Sequence, residues 1–317
     1  MTRVASFDLG TNTVLMLVAD VTAGSVTRVE DDADIVRLGE GLDRSGRLSA
    51  AAMERALAAL RVMCARAQVL GVTDVLAVGT EALRRADNGD VFVAAANDVL
   101  SGVAAASSLQ IIDGEREARL SFLAVTDSFP ASSRTRVVVD IGGGSTEILV
   151  GHREPEAAVS IPIGSVRLTE RLLRSDPPTG EECAALRATI DAALAAAPPL
   201  PAGAELVGIA GTVTSLAAMS LQMASYDGDR VHGTTLPCAT LDSMVVRLGG
   251  MTVAQRRELV GLDPRRADVI YAGAVILQAI MARAGADECL VSDRGIRWGL
   301  CYERARALCN TSSAATK

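Results

Sequence analysis

Two stretches of the chain share one pattern, and this repetition restricts the possible folds more than any other feature. Residues 7–18 read FDLGTNTVLMLV, and residues 139–150 read VDIGGGSTEILV. In each stretch an apolar strand reaches an aspartate, one apolar residue follows, and a glycine with small or hydroxyl residues leads into a second apolar strand. Two copies of one supersecondary unit predict two similar domains that face each other.

The segments after the two copies also correspond. SVTRVEDDADIVRL follows the first copy and AAVSIPIG follows the second, so each half begins with three consecutive strands. Helical segments rich in Ala, Leu and Arg then alternate with short β-branched segments in both halves. This alternation predicts an α/β chain built from two similar halves.

The composition indicates a cytoplasmic protein with no membrane partner. Of the 317 residues, 49% are hydrophobic and 22% are charged. The longest apolar run is shorter than the roughly 18 residues that a membrane helix needs, and the N-terminal residues lack the pattern of a signal peptide. The six cysteines have no CxxC spacing, which is typical of reduced thiols.

The charge and the histidine count narrow the possible ligands. The net charge of −7 argues against a nucleic-acid partner, because proteins that bind nucleic acids present a basic surface. A small polyanion held in a locally basic cleft remains compatible with this charge. Only two histidines are present, so any metal is expected to have oxygen ligands, as Mg²⁺, Mn²⁺ or Ca²⁺ has.

The two turns have the composition of anion-binding sites. Glycines permit positive φ, so that consecutive N–H groups can point into one concavity. A carboxylate repels phosphate, so the aspartate before each turn is expected to act through a divalent cation that bridges the carboxylate and the phosphate. The donors would be Thr11, Asn12 and Thr13 in the first turn and Gly142, Gly143, Gly144, Ser145 and Thr146 in the second, and the metal-binding carboxylates would be Asp8 and Asp140.

An alternative interpretation needs no ligand. In two tight hairpins, the aspartate and hydroxyl side chains would only bond the turn backbone. One such turn alone would favour that interpretation, whereas its recurrence favours phosphate and metal.

Two further strands end in Gly-Thr before a helix, in VLAVGTEALRR and ELVGIAGTVTSL. Such a junction presents a helix N-terminus and a hydroxyl group to an anion. In the first segment, Arg84 lies one turn into the helix and could bind a phosphate with both guanidinium nitrogens, whereas Arg85 is expected to be solvated. In the second, Gly211, Thr212 and Thr214 would contact a terminal phosphate or a nucleotide, and an ordinary helix cap is the alternative.

The segment IIDGEREARLSFL predicts a strand, a turn and a helix that carries Glu115 and Glu117 in its first turn. A glutamate at this position most often lies on the surface and interacts favourably with the helix dipole. On this segment alone, the surface interpretation is favoured.

Together these segments resemble the exopolyphosphatase/guanosine pentaphosphate phosphohydrolase family of the actin-like superfamily. The matching segments run in order through nearly the whole chain: FDLGTNT, RLGEGL, AVGTEALRRADNGDVF, GEREARLSFLAV, VVVDIGGGSTEI, IGSVRLTERLL, AGTVTSL, RADVIYAGAVIL and SDRGIRWGL. The resemblance implies two actin-like, ribonuclease H-like domains with a cleft between them. They would comprise residues 1–126, joined by the C-terminal helix at about 296–310, and residues 127–295, with a flexible tail at 311–317.

The resemblance also implies a reaction, the metal-dependent hydrolysis of the terminal phosphoanhydride of polyphosphate, with Mg²⁺ or Mn²⁺ as the metal. Glu117 falls at the position of the general base that activates the attacking water. The remaining motif positions imply phosphate contacts at Asn12, Arg84 and Gly142 and a metal site that includes Asp140 and Glu147.

Departures from the family pattern leave the substrate open. Arg116 replaces the first of two adjacent glutamates, and Leu15 stands where many members carry Arg or His. The chain ends soon after SDRGIRWGL, without the helical C-terminal domain of longer relatives. The resemblance therefore implies short polyphosphate chains or guanosine pentaphosphate as substrate.

Two other functions compete with hydrolysis. One is a kinase of the same superfamily, which would transfer a phosphoryl group from ATP to an acceptor. The other is a weakly active or non-catalytic regulator that binds a guanosine polyphosphate. The Ala/Leu/Met-rich helix at 268–284 would be either core or the interface of a homodimer, and core is the better default.

Overall fold

The computed structural model describes residues 1–314, with side chains to residue 309. In the N-terminal part of the chain, an antiparallel set of three strands is followed by alternating helices and strands. The elements are β1 (Thr2–Leu9), β2 (Thr13–Thr22), β3 (Ser25–Ile35), α1 (Leu42–Ser45), α2 (Ala50–Val69), β4 (Asp74–Gly79), α3 (Glu81–Arg85), α4 (Gly89–Ser101), β5 (Leu109–Ile111) and α5 (Gly114–Ser128).

The second part of the chain repeats this plan with additional helices. Its elements are β6 (Arg136–Ile141), β7 (Thr146–Gly151), β8 (Pro155–Ile161), α6 (Ser165–Leu172), α7 (Gly180–Ala195), β9 (Glu205–Ile209), α8 (Ala210–Ser220), α9 (Gly228–Val231), β10 (Thr235–Pro237), α10 (Cys238–Gly249), α11 (Val253–Arg257), a 3₁₀ turn (Pro264–Arg266), α12 (Ile270–Ala284), β11 (Glu288–Val291) and α13 (Ile296–Ala314).

The chain forms two compact units. The first unit is Met1–Asp127 together with the chain from Ile296 onward, and the second unit is Ser128–Gly295. Helix α13 continues to Ala314, so the first residues of the predicted tail lie within this helix. The rest of that predicted tail, residues 315–317, lies outside the described residues.

Each unit contains one mixed sheet, and the two sheets have the same plan. The strand order is β3-β2-β1-β4-β5 in the first unit and, from the corresponding edge, β8-β7-β6-β9-β11-β10 in the second. In both, three antiparallel strands are followed by two strands parallel to the first one, and the second sheet ends with β10, which is antiparallel to β11. The prediction of an α/β fold with two actin-like domains is confirmed.

Strand β1 is buried on both faces of the first sheet, and the alternation of its side chains determines where Asp8 lies. Ala5, Phe7 and Leu9 of β1 belong to the core formed with α2 and α4. Val4, on the opposite face, packs in a second core with residues of α5 and α13. Because side chains alternate along a strand, Asp8 lies on the face covered by α5 and α13.

Two predicted elements end earlier than the sequence indicated. Strand β3 stops at Ile35 because Arg37 adopts a left-handed conformation, with a φ of 53°. The single helix predicted at about 81–100 is two helices, α3 and α4, with a break at residues 86–88. A Cβ at Gly89 would lie 2.7 Å from the Leu83 carbonyl oxygen, so the two helices approach closely at this break.

Helix α12 belongs to the core of the second unit. Its buried residues include Ile270, Val275 and Ile280, which contact residues of the sheet and the neighbouring helices. The prediction that this segment is core is confirmed, and a homodimer remains a prediction. None of the helices in the described part of the chain has both the length and the apolar character needed to span a membrane.

A histidine in the second unit is held in its neutral form. The ring of His232 stacks on Phe129, with centroids 4.5 Å apart, and its Nδ1 lies 3.3 Å from Ser292 Oγ. Burial lowers the pKa of His232 to about 4, and the positive charge of Arg294 adds to this effect, while Asp229 opposes it.

This histidine predicts a loss of stability in mild acid. An unfolded histidine binds its proton near pH 6.5, whereas folded His232 does so near pH 4, so the free energy of unfolding decreases as the pH falls through this interval. Between pH 7 and pH 5 the expected contribution is about 1 kcal/mol, because solvent screens part of the effect at this half-buried ring. Urea unfolding at both pH values should give a smaller decrease for His232→Gln than for the wild type. Equal decreases would contradict the prediction.

Candidate active site

The connections between the first two strands of each unit close in the same way. We call residues 10–13 loop 1 and residues 142–145 loop 2. Gly10 N donates a hydrogen bond to Thr13 O, and Gly142 N donates one to Ser145 O, each with a length of 3.0 Å. The sequence repeat is therefore also a repeat of backbone geometry.

Loop 1 is held by the chain that follows β3. Val36 N and Arg37 N both donate to Asn12 O, at 3.0 and 2.9 Å, and Gly39 N donates to Thr11 O at 2.8 Å. A Cβ at Gly39 would overlap the methyl group of Thr11, so this close approach requires glycine. The RLGEGL segment thus holds loop 1 in place through backbone hydrogen bonds.

Loop 2 is held by the chain that follows β8. Ser165 N donates to Gly142 O and Arg167 N donates to Gly143 O, each at 3.0 Å. A Cβ at Gly164 would overlap the Gly143 carbonyl oxygen. Each loop is therefore held by the segment after the third strand of its own unit.

Asp8 lies immediately before the end of β1, in an unusual environment for a carboxylate. Its residue is 8% exposed, and its Oδ1 is buried without a hydrogen-bond partner. Burial raises the pKa of Asp8 to about 7, although Arg297 acts in the opposite direction. The guanidinium group of Arg297 is bound to Asp31, with Nε 2.7 Å from Oδ1.

The second unit carries two carboxylates at the corresponding place. Asp140 and Glu147 are directly paired across β6 and β7, so their side chains lie on the same face of the sheet. Ser160, the partner of Glu147 on β8, donates a 2.7 Å hydrogen bond to Glu147 Oε1. In the first unit the residue paired with Asp8 is Leu15. Within the described residues, no three or more His, Cys, Asp or Glu side chains form a ready metal-binding cluster.

The predicted general base, Glu117, and the predicted phosphate ligand, Arg84, lie together in the first unit. Glu117 is 6% exposed in the first turn of α5, so the surface interpretation favoured by its segment alone is wrong. Arg84 Nη1 donates to Glu117 Oε2 at 2.6 Å and to Ile112 O at 2.7 Å. Arg84, predicted to contact phosphate, is therefore also an ion-pair partner of the predicted base.

Arg116, the departure beside Glu117, has a partner on another helix. Its two terminal nitrogens bind the two carboxylate oxygens of Glu303 in α13, and its backbone N donates to Asp113 Oδ1 at 2.8 Å. The arginine therefore links the first turn of α5 to α13, which explains how the chain accommodates it.

A second acidic residue lies at loop 1, and the sequence interpretation missed it. Glu81, the first residue of α3, accepts a 3.2 Å hydrogen bond from Thr11 Oγ1. Arg85 donates to Glu81 Oε1 and to Asp43 Oδ1, each at 2.9 Å, and its side chain is 39% exposed, so it is solvated as expected but also ion-paired. The available signal was the acidic residue directly after Gly-Thr at the end of a strand.

The predicted phosphate-binding hydroxyl groups of the second unit differ in their surroundings. Thr146 Oγ1 donates to Ile163 O at 2.6 Å, so its proton is used within the fold. Thr212 is buried in the first turn of α8. A Cβ at Gly211 would overlap the guanidinium group of Arg266, which therefore lies directly over the start of this helix. The sequence analysis did not identify Arg266.

Comparison with known proteins shows the family to which the chain is similar. The model of the Ppx/GppA phosphatase family matches residues 17–307. The chain is 39% identical over 316 residues to the protein named Exopolyphosphatase 2 of Mycobacterium tuberculosis (strain CDC 1551 / Oshkosh), an alignment that covers 96% of this chain and 99% of the relative.

Solved structures are similar over the same length. A crystal structure of an exopolyphosphatase-like protein has a TM-score of 0.88 with 29% identity and covers 97% of this chain and 100% of its own. The Aquifex aeolicus PPX-GPPA enzyme has a TM-score of 0.80 with 31% identity, covering 95% of this chain and 99% of its own. The chain belongs to the Ppx/GppA phosphatase family.

Proposed function

We propose that the protein is an exopolyphosphatase, which hydrolyses the terminal phosphoanhydride of short inorganic polyphosphate chains and releases phosphate. The observation that carries this proposal is the buried Glu117 carboxylate, which the Arg84 guanidinium holds at 2.6 Å. A relative named as an exopolyphosphatase, alignable over 96% of this chain, supports the choice of substrate.

In the proposed reaction, Glu117 is the general base. Its carboxylate takes a proton from a water molecule whose oxygen attacks the terminal phosphorus, and the bond to the bridging oxygen breaks. Arg84 holds one carboxylate oxygen and thereby orients the base. The backbone N–H groups of loops 1 and 2 would bind phosphate oxygens, since the glycines leave this backbone accessible.

A divalent cation fits the acidic residues beside the loops. A buried carboxylate oxygen without a partner, such as Asp8 Oδ1, is unfavourable unless a cation or a proton compensates it. We propose that the ligands for Mg²⁺ or Mn²⁺, both of which prefer oxygen, come from these acidic residues: Asp8 in the first unit, and Asp140 and Glu147 in the second. When bound, the metal would neutralise negative charge on the phosphate oxygens.

Thermal unfolding tests the metal site without an activity measurement. Mg²⁺ at about 100 times its dissociation constant should raise the free energy of unfolding of the wild type by about 2.7 kcal/mol. Asp8→Asn should unfold at the same or a higher temperature without metal, since it removes an uncompensated buried charge, and should gain less from Mg²⁺. An equal gain in both proteins would contradict the role of Asp8.

Product analysis tests the proposed function. The protein should convert tripolyphosphate and tetraphosphate into chains one unit shorter plus free phosphate, as followed by ion chromatography in the presence of Mg²⁺. The same assay with guanosine pentaphosphate and with ATP separates the alternatives. Faster turnover of guanosine pentaphosphate would favour that substrate, and a phosphorylated acceptor formed from ATP would indicate a kinase. Binding without any turnover would favour the regulator.

A further inference from the structure

Helix α3 connects loop 1 to the proposed general base. Its first residue, Glu81, accepts a hydrogen bond from the Thr11 hydroxyl group. Its fourth residue, Arg84, binds Glu117. Residues three apart lie on the same side of a helix. A single short helix thus contacts a phosphate-binding loop at one end and the base at the other.

The hydrogen bond from Thr11 has a chemical consequence. A threonine hydroxyl has only one proton to donate. Because that proton is directed to Glu81 Oε2, the Thr11 side chain cannot donate a hydrogen bond to an anion at loop 1. Its hydrogen bond instead fixes the position of the loop. Glu81 therefore holds the loop, and the backbone N–H groups remain the donors for an anion.

A carboxylate at this position would be unfavourable for a polyanion if it stood alone. Glu81 is only 7% exposed, so water screens its charge weakly. Arg85 Nη1 lies 2.9 Å from Glu81 Oε1, and Arg85 Nη2 lies 2.9 Å from Asp43 Oδ1. The positive charge of Arg85 thus compensates the negative charge that holds Thr11.

We propose that Glu81 is a positioning residue for loop 1 and that Arg85 neutralises it, so that the loop admits the negatively charged end of a polyphosphate chain. The inference rests on the proposed exopolyphosphatase function. The proposal predicts changes in KM of opposite sign. Removing the charge of Arg85 makes loop 1 more negative, whereas removing the charge of Glu81 makes it less negative.

The experiment compares Arg85→Gln with Glu81→Gln. At low ionic strength, Arg85→Gln should raise the KM for tripolyphosphate about fivefold, because an uncompensated carboxylate repels the substrate. Glu81→Gln should lower the KM about two- to fivefold and leave kcat within about threefold, because its amide oxygen still accepts the Thr11 hydrogen bond. Both effects should shrink at about 1 M salt, and the double variant should return towards the wild-type KM.

The controls separate charge from structure. Glu54 and Arg61 form an exposed pair on α2, so Glu54→Gln and Arg61→Gln make the same changes in net charge away from loop 1 and should leave the KM unchanged. Arg85→Lys retains the charge but cannot bind Glu81 and Asp43 with two planar nitrogens, so its KM should lie between those of the wild type and Arg85→Gln. An increase in KM with both Glu81→Gln and Arg85→Gln at all salt concentrations would indicate a merely structural pair and overturn the proposal. An equal shift in the α2 variants, or a KM for Arg85→Lys as high as that for Arg85→Gln, would also overturn it.

The failure of the proposed function would give a different result. If the wild type released no phosphate from tripolyphosphate, the hydrolase proposal would fail, and the dissociation constant for tripolyphosphate from calorimetry would replace the KM. A higher dissociation constant for Arg85→Gln and a lower one for Glu81→Gln would then support the charge compensation at loop 1. Equal dissociation constants in all variants, or no binding at all, would overturn it.

Discussion

Glu117→Gln is expected to reduce kcat for short polyphosphate by about 10²- to 10⁴-fold, which is the usual contribution of a general base. Glutamine retains the shape of the side chain and its oxygen can still accept the 2.6 Å hydrogen bond from Arg84. It cannot take a proton from water at neutral pH. The KM should therefore remain within about threefold of the wild-type value, since substrate binding does not depend on proton transfer.

A neighbouring glutamate provides the matched control. Glu115 occupies the same first turn of α5, and its exposed side chain pairs with Arg119 on the helix surface. Glu115→Gln makes the same chemical change without altering the proposed base and should keep kcat within about twofold, since exposed ion pairs contribute little. If Glu117→Gln retained near-normal turnover at saturating Mg²⁺, Glu117 would not be the base.

Gly164→Ala is expected to lower the free energy of unfolding by about 1 to 3 kcal/mol, the usual cost of placing an extra carbon in a packed region. The new Cβ would overlap Gly143 O and lie 2.6 Å from Gly144 C, both of which are backbone atoms of loop 2. Because backbone atoms cannot rotate aside, the loop must move. A strong decrease in kcat should accompany the loss of stability, as measured by urea unfolding and by phosphate release.

A second glycine controls for the substitution itself. Gly180 is the first residue of α7, has a negative φ, and has no neighbouring atom within 4 Å of a Cβ built on it. Gly180→Ala should leave kcat unchanged and keep or raise stability by up to about 1 kcal/mol, since alanine restricts the unfolded chain. Loop 2 would not depend on the space at residue 164 if Gly164→Ala behaved like Gly180→Ala.

The sequence repeat was sufficient to predict the two-domain α/β fold, because hairpins, strand alternation and the aspartate positions follow from local pattern. Loops 1 and 2 close with equal hydrogen bonds, as their shared composition indicates. The family resemblance, rather than residue spacing, identified Glu117. Its segment alone predicted a surface residue, whereas the fold buries it beside Arg84.

Pairs of residues distant in the chain were beyond sequence analysis. Arg116 binds Glu303, which is 187 residues away, and no local pattern specifies this pairing of α5 with α13. Glu81 resembles an ordinary acidic residue at a helix start, and its contact with Thr11 arises only because β1 and β4 are neighbours in the sheet. Such contacts depend on tertiary packing.

The external support of both loops has a thermodynamic consequence. The carbonyl groups of Thr11 and Asn12 in loop 1 and of Gly142 and Gly143 in loop 2 accept hydrogen bonds from the segments that follow the third strands. These loops are preorganised, so an anion that binds them orders little additional backbone. A polyphosphate end would therefore bind with a small loss of conformational entropy, and more of its interaction energy would remain as affinity.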